Sequence, residues 1–284
     1  MLRIVRPQNL ALLGLIQCFV LARTGDYNFL FYDIHKTLAL LASTSLIAAA
    51  GYIINDYFDL KIDLINKPHR VFIGQNLPRR WAMTLHLVLT IIGLTLAWQV
   101  NLLTFGISFL CSILLYLYSA TLKRKFLIGN LAIAILAALS VYICQAGVGL
   151  LNINLVLSYS FFAGFTTFLR EIVKDIEDEE GDAIFHSHSL AIEYGLQKTK
   201  KVLTLSTSLL FLILILYVIW QLENTESTNL LFNTYIILLL AGVGLPLLVF
   251  MVKLRNAKQQ DEFAQLSRLL KVIMLIGVFS ILFC

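Results

Sequence analysis

Two short acidic segments are the part of this chain best suited to chemistry. Six of its nine aspartates fall into two copies of the pattern D-x-x-D-x-x-x-D. Positions i, i+3 and i+7 line one face of an α-helix, so each copy is expected to present its carboxylates to a shared cavity. The first copy is Asp56, Asp59 and Asp63, directly preceded by Asn55, and the second is Asp175, Asp178 and Asp182.

Carboxylates on one helical face repel one another. A positively charged ligand bound between them would remove this repulsion. Like charges at this spacing cost about 0.2–0.5 kcal/mol per pair in water, and the cost rises beside a low-dielectric membrane. Mg²⁺ takes oxygen ligands and is usually held by one or two carboxylates together with substrate phosphates. The two segments therefore predict a Mg²⁺-diphosphate site in which Asn55 and all six aspartates are metal ligands.

The remainder of the chain has the composition of a membrane protein. Hydrophobic residues make up 59% and charged residues 14%, with a mean hydropathy of +0.83, whereas an ordinary soluble domain is about 25% charged. No Pro/Gly/Ser-rich linker divides the sequence, which predicts a single transmembrane domain over residues 1–284. The net charge of +5 comes from basic residues scattered between apolar runs, which excludes a nucleic-acid partner.

Nine apolar stretches are long enough to be candidate membrane-spanning helices, which need about 20 mostly apolar residues each. The expected fold is an all-α, multi-pass transmembrane bundle of nine helices with cytoplasmic cap loops. The stretches are 9–24, 37–55, 82–100, 102–119, 128–148, 153–172, 201–221, 229–251 and 266–284.

The basic residues predict the orientation of these spans, because Lys and Arg near span ends remain in the cytoplasm. With the N-terminus inside, all of the 22 Lys and Arg except Arg23 and Lys36 fall in cytoplasmic segments. Both acidic segments then flank cytoplasmic span ends, and Cys284 lies outside. We therefore expect an integral cell-membrane protein whose active site faces the cytoplasm.

Several motifs resemble those of the UbiA superfamily of intramembrane prenyltransferases. The acidic segment that begins at Asn55 resembles the first signature of this family, and the segment that begins at Asp175 resembles the second. The resemblance extends along nearly the whole chain. It includes Arg6-Pro7-Gln8-Asn9 before the first span, and Tyr118-Ser119-x-x-Leu122-Lys123 with Gly129-Asn130 after the fourth.

Within the superfamily, residues 66–70 and 170–182 are most similar to geranylgeranylglycerol-phosphate geranylgeranyltransferases. The chain departs from that subfamily at 71–75, where a Pro-Ser-Gly-type turn is common, and at 186–191, where Thr-Leu-Pro is common. The resemblance implies Mg²⁺-dependent transfer of a geranylgeranyl group from its diphosphate to a lipid-like acceptor, geranylgeranylglyceryl phosphate, with release of diphosphate.

This chemistry, together with the positions of residues near the motifs, suggests roles for individual residues. Tyr118 is expected to face the allylic cation, and Asp63 is a candidate base for the acceptor hydroxyl. The expected catalytic residues are Asp59, Asp63, Asp178, Lys123 and Tyr118. The residues expected to bind the diphosphate and acceptor are Asn9, Arg70, Lys123, Arg124, Arg170 and Lys174.

Two alternatives stay open at this point. An aromatic or quinone-precursor prenyltransferase would share the diphosphate site and differ only in its acceptor. A cation-coupled transporter would also carry acidic residues in its spans, but it would place them near span midpoints. The position of the acidic segments at span ends favours an enzyme that takes a diphosphate from the cytoplasm.

Overall fold

The computed structural model describes residues 4–24, 34–66, 71–148, 152–178, 189–224 and 230–284. These residues are helical throughout, apart from connections and one isolated bridge between Ile73 and Leu77. The helices of the first half are α1 (Pro7–Thr24), α2 (Ile34–Asn66), α3 (Arg79–Val100), α4 (Leu102–Ala120) and α5 (Ile128–Val148), with a 3₁₀ turn at Leu122–Arg124.

The second half continues the same architecture. A π-helical segment, Leu238–Gly244, interrupts one of its membrane helices, and Pro246 follows within the first turn of the next helix. The helices are α6 (Ile153–Glu177), α7 (Leu190–Tyr194), α8 (Leu196–Asn224), α9 (Leu230–Ile237), α10 (Leu245–Asn256) and α11 (Gln260–Phe279), with a terminal 3₁₀ turn at Ser280–Phe283.

The all-α, multi-pass fold is confirmed, but the number of spans needs a correction. All nine predicted stretches are helical, yet only seven helices in the described ranges are long and apolar enough to cross a membrane. The apolar part of α1, Pro7–Ala22, is too short. Helix α6 is long enough, but it is not among the seven; polar residues such as Asn154, Ser158 and Thr166 lie within its first 18 residues.

The chain divides into two compact units. The first unit contains Met1–Lys123 and Leu139–Leu157, and the second contains Arg124–Ala138 and Ser158–Cys284. In the first unit, Ile53 of α2 packs with Ile4, Ile73, Leu77 and Ala82. In the second, a core from α6, α8, α10 and α11 includes the fully buried Leu169, Leu203, Leu247 and Leu270. Each unit carries one of the two acidic segments.

Local sequence explains several of the helix ends. Asn101 caps α4, because its side chain accepts a hydrogen bond from the Thr104 backbone N–H at 2.7 Å. Gln259 and Glu262 form a capping box at the start of α11. Gly195, at a φ of 79°, ends α7, since glycine adopts this left-handed conformation without a steric cost.

Candidate active site

The first acidic segment lies on α2, which continues as a helix through it to Asn66. Asp59 is buried, with 6% of its surface exposed. The carboxamide of Asn55 donates a hydrogen bond to Asp59 Oδ2 at 2.8 Å, as i, i+4 spacing on a helix allows. Lys123 Nζ forms an ion pair with the same oxygen. A buried carboxylate is therefore held between a neutral donor and a cation.

Asp56, on the same helix, has a cationic neighbour from the N-terminal segment. Arg6 Nη2 lies 2.8 Å from Asp56 Oδ1, and its guanidinium lies 5.0 Å from the centroid of the Tyr52 ring. Arg6 has a φ of 50°, in the left-handed region. Asn9 stands in the first turn of α1, where its backbone N–H donates to the Arg6 carbonyl at 2.9 Å. The residue that directly precedes α1 is therefore an arginine that contacts the first acidic segment.

The turn that precedes α3 packs beside the same part of α2. Gly74 has a φ of 88°, and a side chain there would meet Leu60 at 3.4 Å. The turn brings Arg79 over the ring of Tyr57, with 4.5 Å between the guanidinium and the ring centroid. The departure from the subfamily pattern at 71–75 is thus accommodated by a turn with a left-handed glycine. Neither Arg6 nor Arg79 was predicted as a site residue, although the Arg6-Pro7 motif was a signal for the first.

The aromatic residues near the end of α4 are arranged around Tyr116. Its ring packs edge-on against Phe58 of α2, with centroids 5.8 Å apart. Tyr118, which the sequence predicts as the catalytic tyrosine, is half-buried two residues further along the same helix. Tyr116 therefore places an aromatic ring against the helix that carries the first acidic segment.

The second acidic segment begins on the last turns of α6. Asn130, in the first turn of α5, donates a hydrogen bond from Nδ2 to Asp175 Oδ2 at 2.7 Å. Asp178 follows the end of the helix, and its backbone N–H donates to the Lys174 carbonyl at 2.8 Å. The sequence places Asn130 in the Gly129-Asn130 motif but predicts no role for its side chain. Its contact with Asp175 spans 45 residues of sequence, so helical spacing could not reveal it.

A buried glutamate organises the basic residues of this segment. Glu171, 9% exposed, accepts from Arg170 Nη1 at 3.0 Å through Oε1 and lies 3.4 Å from Lys174 Nζ through Oε2. Glu171 precedes Asp175 by four residues, which places these two acids on one face of α6, and Asp178 follows three residues after Asp175. The prediction missed Glu171 because it lies outside the D-x-x-D-x-x-x-D pattern.

The remaining predicted residues make no site contact that can be described. Arg124 is exposed at the end of the 3₁₀ turn. The side chain of Asp63, and all of Arg70 and Asp182, lie outside the described residues. For these residues the sequence prediction stays a prediction.

The donor atoms in each segment fit a hard cation that also binds a phosphate ligand. Carboxylate and carboxamide oxygens suit Mg²⁺, whereas soft metals select thiolates. Among the residues that the structure describes, no three or more His, Cys, Asp or Glu side chains gather into a complete metal cage. One or two carboxylates per ion, with phosphate oxygens completing the shell, is the usual arrangement for Mg²⁺.

Together, the helices and these acidic segments define a multi-pass membrane protein with two carboxylate clusters, each beside basic side chains. The chain belongs to the UbiA prenyltransferase family, which matches residues 11–272. It is 33% identical to digeranylgeranylglyceryl phosphate synthase of Methanosphaera stadtmanae over 281 residues, which are 98% of this chain and 96% of that protein.

Solved structures agree with this membership. A structure described as digeranylgeranylglyceryl phosphate synthase in membranes has a TM-score of 0.77 and 26% identity, covering 99% of this chain and 95% of that one. A UbiA homologue from Archaeoglobus fulgidus, bound to DMAPP and Mg²⁺, has a TM-score of 0.70 at 16% identity and covers 98% of both chains. The second likeness establishes the fold alone.

Proposed function

We propose that this protein transfers a geranylgeranyl group from geranylgeranyl diphosphate to the hydroxyl of geranylgeranylglyceryl phosphate and releases diphosphate. The observation that carries the proposal is the 33% identity, over 98% of the chain, to a digeranylgeranylglyceryl phosphate synthase. Prenyl diphosphates bind UbiA homologues of the same fold together with Mg²⁺. The paired acidic segments of this chain supply suitable oxygen donors for that cation.

Asn55 and the six aspartates of the two segments would hold the Mg²⁺ ions against the diphosphate. When bound, Mg²⁺ neutralises charge on a leaving diphosphate. Lys123, Lys174 and Arg170 would donate charge-assisted hydrogen bonds to its oxygens. In the structure these three cations contact Asp59 and Glu171, so diphosphate binding would exchange carboxylate oxygens for phosphate oxygens.

The bond between prenyl C1 and the diphosphate oxygen breaks, and its electron pair leaves with the diphosphate. The acceptor hydroxyl oxygen then forms a new bond to C1 and loses its proton. Tyr118 would stabilise the allylic cation through its ring face, and Asp63 would accept the proton. Apolar helix surfaces exclude the water that would otherwise react with the cation. We further propose that residues 1–284 act as one catalytic domain.

An assay with two acceptors tests this assignment. The purified protein is incubated with geranylgeranyl diphosphate, Mg²⁺ and either geranylgeranylglyceryl phosphate or dihydroxynaphthoate, and products are identified by mass spectrometry. The proposal predicts digeranylgeranylglyceryl phosphate and diphosphate in equal amounts. If only dihydroxynaphthoate gives a product, the protein is an aromatic prenyltransferase. If neither acceptor gives a product, both assignments are contradicted.

A further inference from the structure

Each acidic segment contains an aspartate that accepts a hydrogen bond from an asparagine carboxamide. Asn55 donates to Asp59 at 2.8 Å within α2, and Asn130 donates to Asp175 at 2.7 Å from the start of a different helix. We propose that Asn130 is a positioning residue that orients the Asp175 carboxylate for a divalent cation. This proposal rests on the proposed function.

The backbone before Asn130 is held in a conformation that non-glycine residues seldom adopt. Leu127 has a φ of 53°, and the Ile128 N–H donates to the Phe126 carbonyl at 2.6 Å. A left-handed leucine costs about 1–2 kcal/mol. Leu127 and Phe126 pack against the apolar core of the second unit, which offsets that cost. The turn fixes where α5 begins and therefore where the Asn130 side chain starts.

The first unit shows the same association between backbone strain and an acidic segment. Within the described ranges, Arg6 and Leu127 are the two non-glycine residues with positive φ. Arg6 contacts Asp56 directly, and Leu127 stands three residues before the partner of Asp175. Strained backbone persists where the surrounding structure requires it, and functional sites are common among such places.

The chemistry of the Asn130 donor suits the positioning of a metal ligand. A carboxamide N–H fixes the orientation of a carboxylate without adding positive charge, so the negative charge that attracts a cation is retained. Asn130 is 9% exposed, and a hydrogen bond in low dielectric surroundings is stronger than in water. Partners that orient a metal ligand typically contribute about 10- to 100-fold to metal affinity.

Mn²⁺ binding to the purified full-length chain, without prenyl substrate, tests this role. Bound Mn²⁺ is measured from the loss of the free-ion electron paramagnetic resonance signal, alongside the melting temperature. Asn130→Ala should weaken Mn²⁺ binding about 10- to 100-fold. Asn101→Ala is the matched control, because the Asn101 carboxamide donates at 2.7 Å to a backbone carbonyl, that of Ala146, and not to an aspartate. It should lower stability and leave the Mn²⁺ affinity unchanged.

Asn130→Ser gives a second route if the alanine variant does not fold. Serine is tolerated in a first helical turn, and its shorter side chain cannot reach Asp175 Oδ2, so the same loss is expected. If the folded Asn130 variants keep the Mn²⁺ affinity of the unmodified chain while Asp175→Ala binds Mn²⁺ more weakly, the role of Asn130 is overturned and the metal site is not. No Mn²⁺ binding by the unmodified chain, either alone or with inorganic diphosphate present, would overturn the metal site itself. The same conclusion would follow if Asp59→Ala, Asp175→Ala and Asp178→Ala all bound Mn²⁺ as tightly as the unmodified chain.

Discussion

Lys123 and Asp59, which are 64 residues apart in the sequence, form an ion pair in the first unit. The Asp59 side chain is 9% exposed and the Lys123 side chain is 31% exposed. The carboxylate is thus fixed and nearly buried, whereas the ammonium group remains accessible. Such an ammonium group can move from the carboxylate to an incoming diphosphate, and this exchange underlies the first prediction.

Replacing Lys123 should impair diphosphate chemistry. In Lys123→Ala we expect kcat to fall about 100-fold, as for the loss of one charge-stabilising donor, because the developing charge on the diphosphate loses a cation. Diphosphate release is measured at saturating Mg²⁺. Lys125→Ala, which removes an exposed lysine from the same connection, is the control and should retain the activity of the unmodified protein. Equal losses of activity in the two variants would show that the total positive charge of this connection matters, and not a specific contact of Lys123.

Removing one carboxylate from either acidic segment should abolish Mg²⁺-dependent release. Asp59→Ala and Asp178→Ala are each expected to lose activity at least about 100-fold, and chelation of Mg²⁺ should have the same effect on the unmodified chain. Insertion and folding are checked by size-exclusion chromatography in detergent. Asp261→Ala removes an exposed aspartate outside both segments and should remain active. If Asp59→Ala and Asp178→Ala both release diphosphate as fast as the unmodified protein, the proposed metal site is wrong.

Glu171 is expected to control how Arg170 and Lys174 meet the diphosphate. Glu171→Gln removes the charge that both cations contact, so inorganic diphosphate should bind more tightly and product release should become slower. Calorimetric titration with diphosphate and a pre-steady-state burst measure these effects. Glu177→Gln, on the same helix, is the control. Unaltered diphosphate affinity in Glu171→Gln would show that the glutamate has no such role.

Close contact between helices in the second unit predicts a stability difference between glycines. A Cβ added at Gly277 would lie 2.2 Å from Phe162 Cε1, whereas one added at Gly106 meets nothing within 4 Å. Gly277→Ala should therefore destabilise the protein by about 1–3 kcal/mol. Gly106→Ala should be neutral or stabilise it by up to about 1 kcal/mol. Thermal unfolding in detergent compares them, and equal melting temperatures would contradict the packing described.

Cysteine labelling tests the proposed sidedness of the chain. In a variant without Cys18, Cys111, Cys144 and Cys284, single cysteines replace Lys125 or Asn152, which are both exposed. A membrane-impermeant maleimide applied to intact cells should label Asn152→Cys, and Lys125→Cys should react only after lysis. The reverse pattern would place the acidic segments outside the cell.

The sequence predicted the apolar parts of the fold closely. The stretches 102–119 and 128–148 correspond to α4, Leu102–Ala120, and α5, Ile128–Val148. Asn101 and Thr121 directly flank the first of these runs, and Lys125 and Asn152 lie within four residues of the ends of the second. Prediction was poorer for α2, expected over 37–55 and observed over Ile34–Asn66. Hydropathy marks where a helix leaves the membrane, and α2 continues beyond that point through the acidic segment.

Site residues could be predicted where they lie on the same helix at helical spacing. The spacing of Asn55, Asp56 and Asp59 placed them together on α2, and the structure joins Asn55 to Asp59. The contacts Arg6–Asp56 and Asn130–Asp175 connect residues 50 and 45 positions apart. They depend on tertiary packing and on left-handed residues at helix starts, which residue spacing does not encode.

A structure of the full chain with Mg²⁺ and a thiolodiphosphate analogue of geranylgeranyl diphosphate, which cannot react readily, would show directly whether the two acidic segments share one diphosphate. We expect Mg²⁺ ions about 2.0–2.1 Å from carboxylate oxygens, with Asp59 and Asp178 both coordinating ions on the same diphosphate. A diphosphate bound by one acidic segment alone, with the other segment facing a separate compartment, would contradict this expectation.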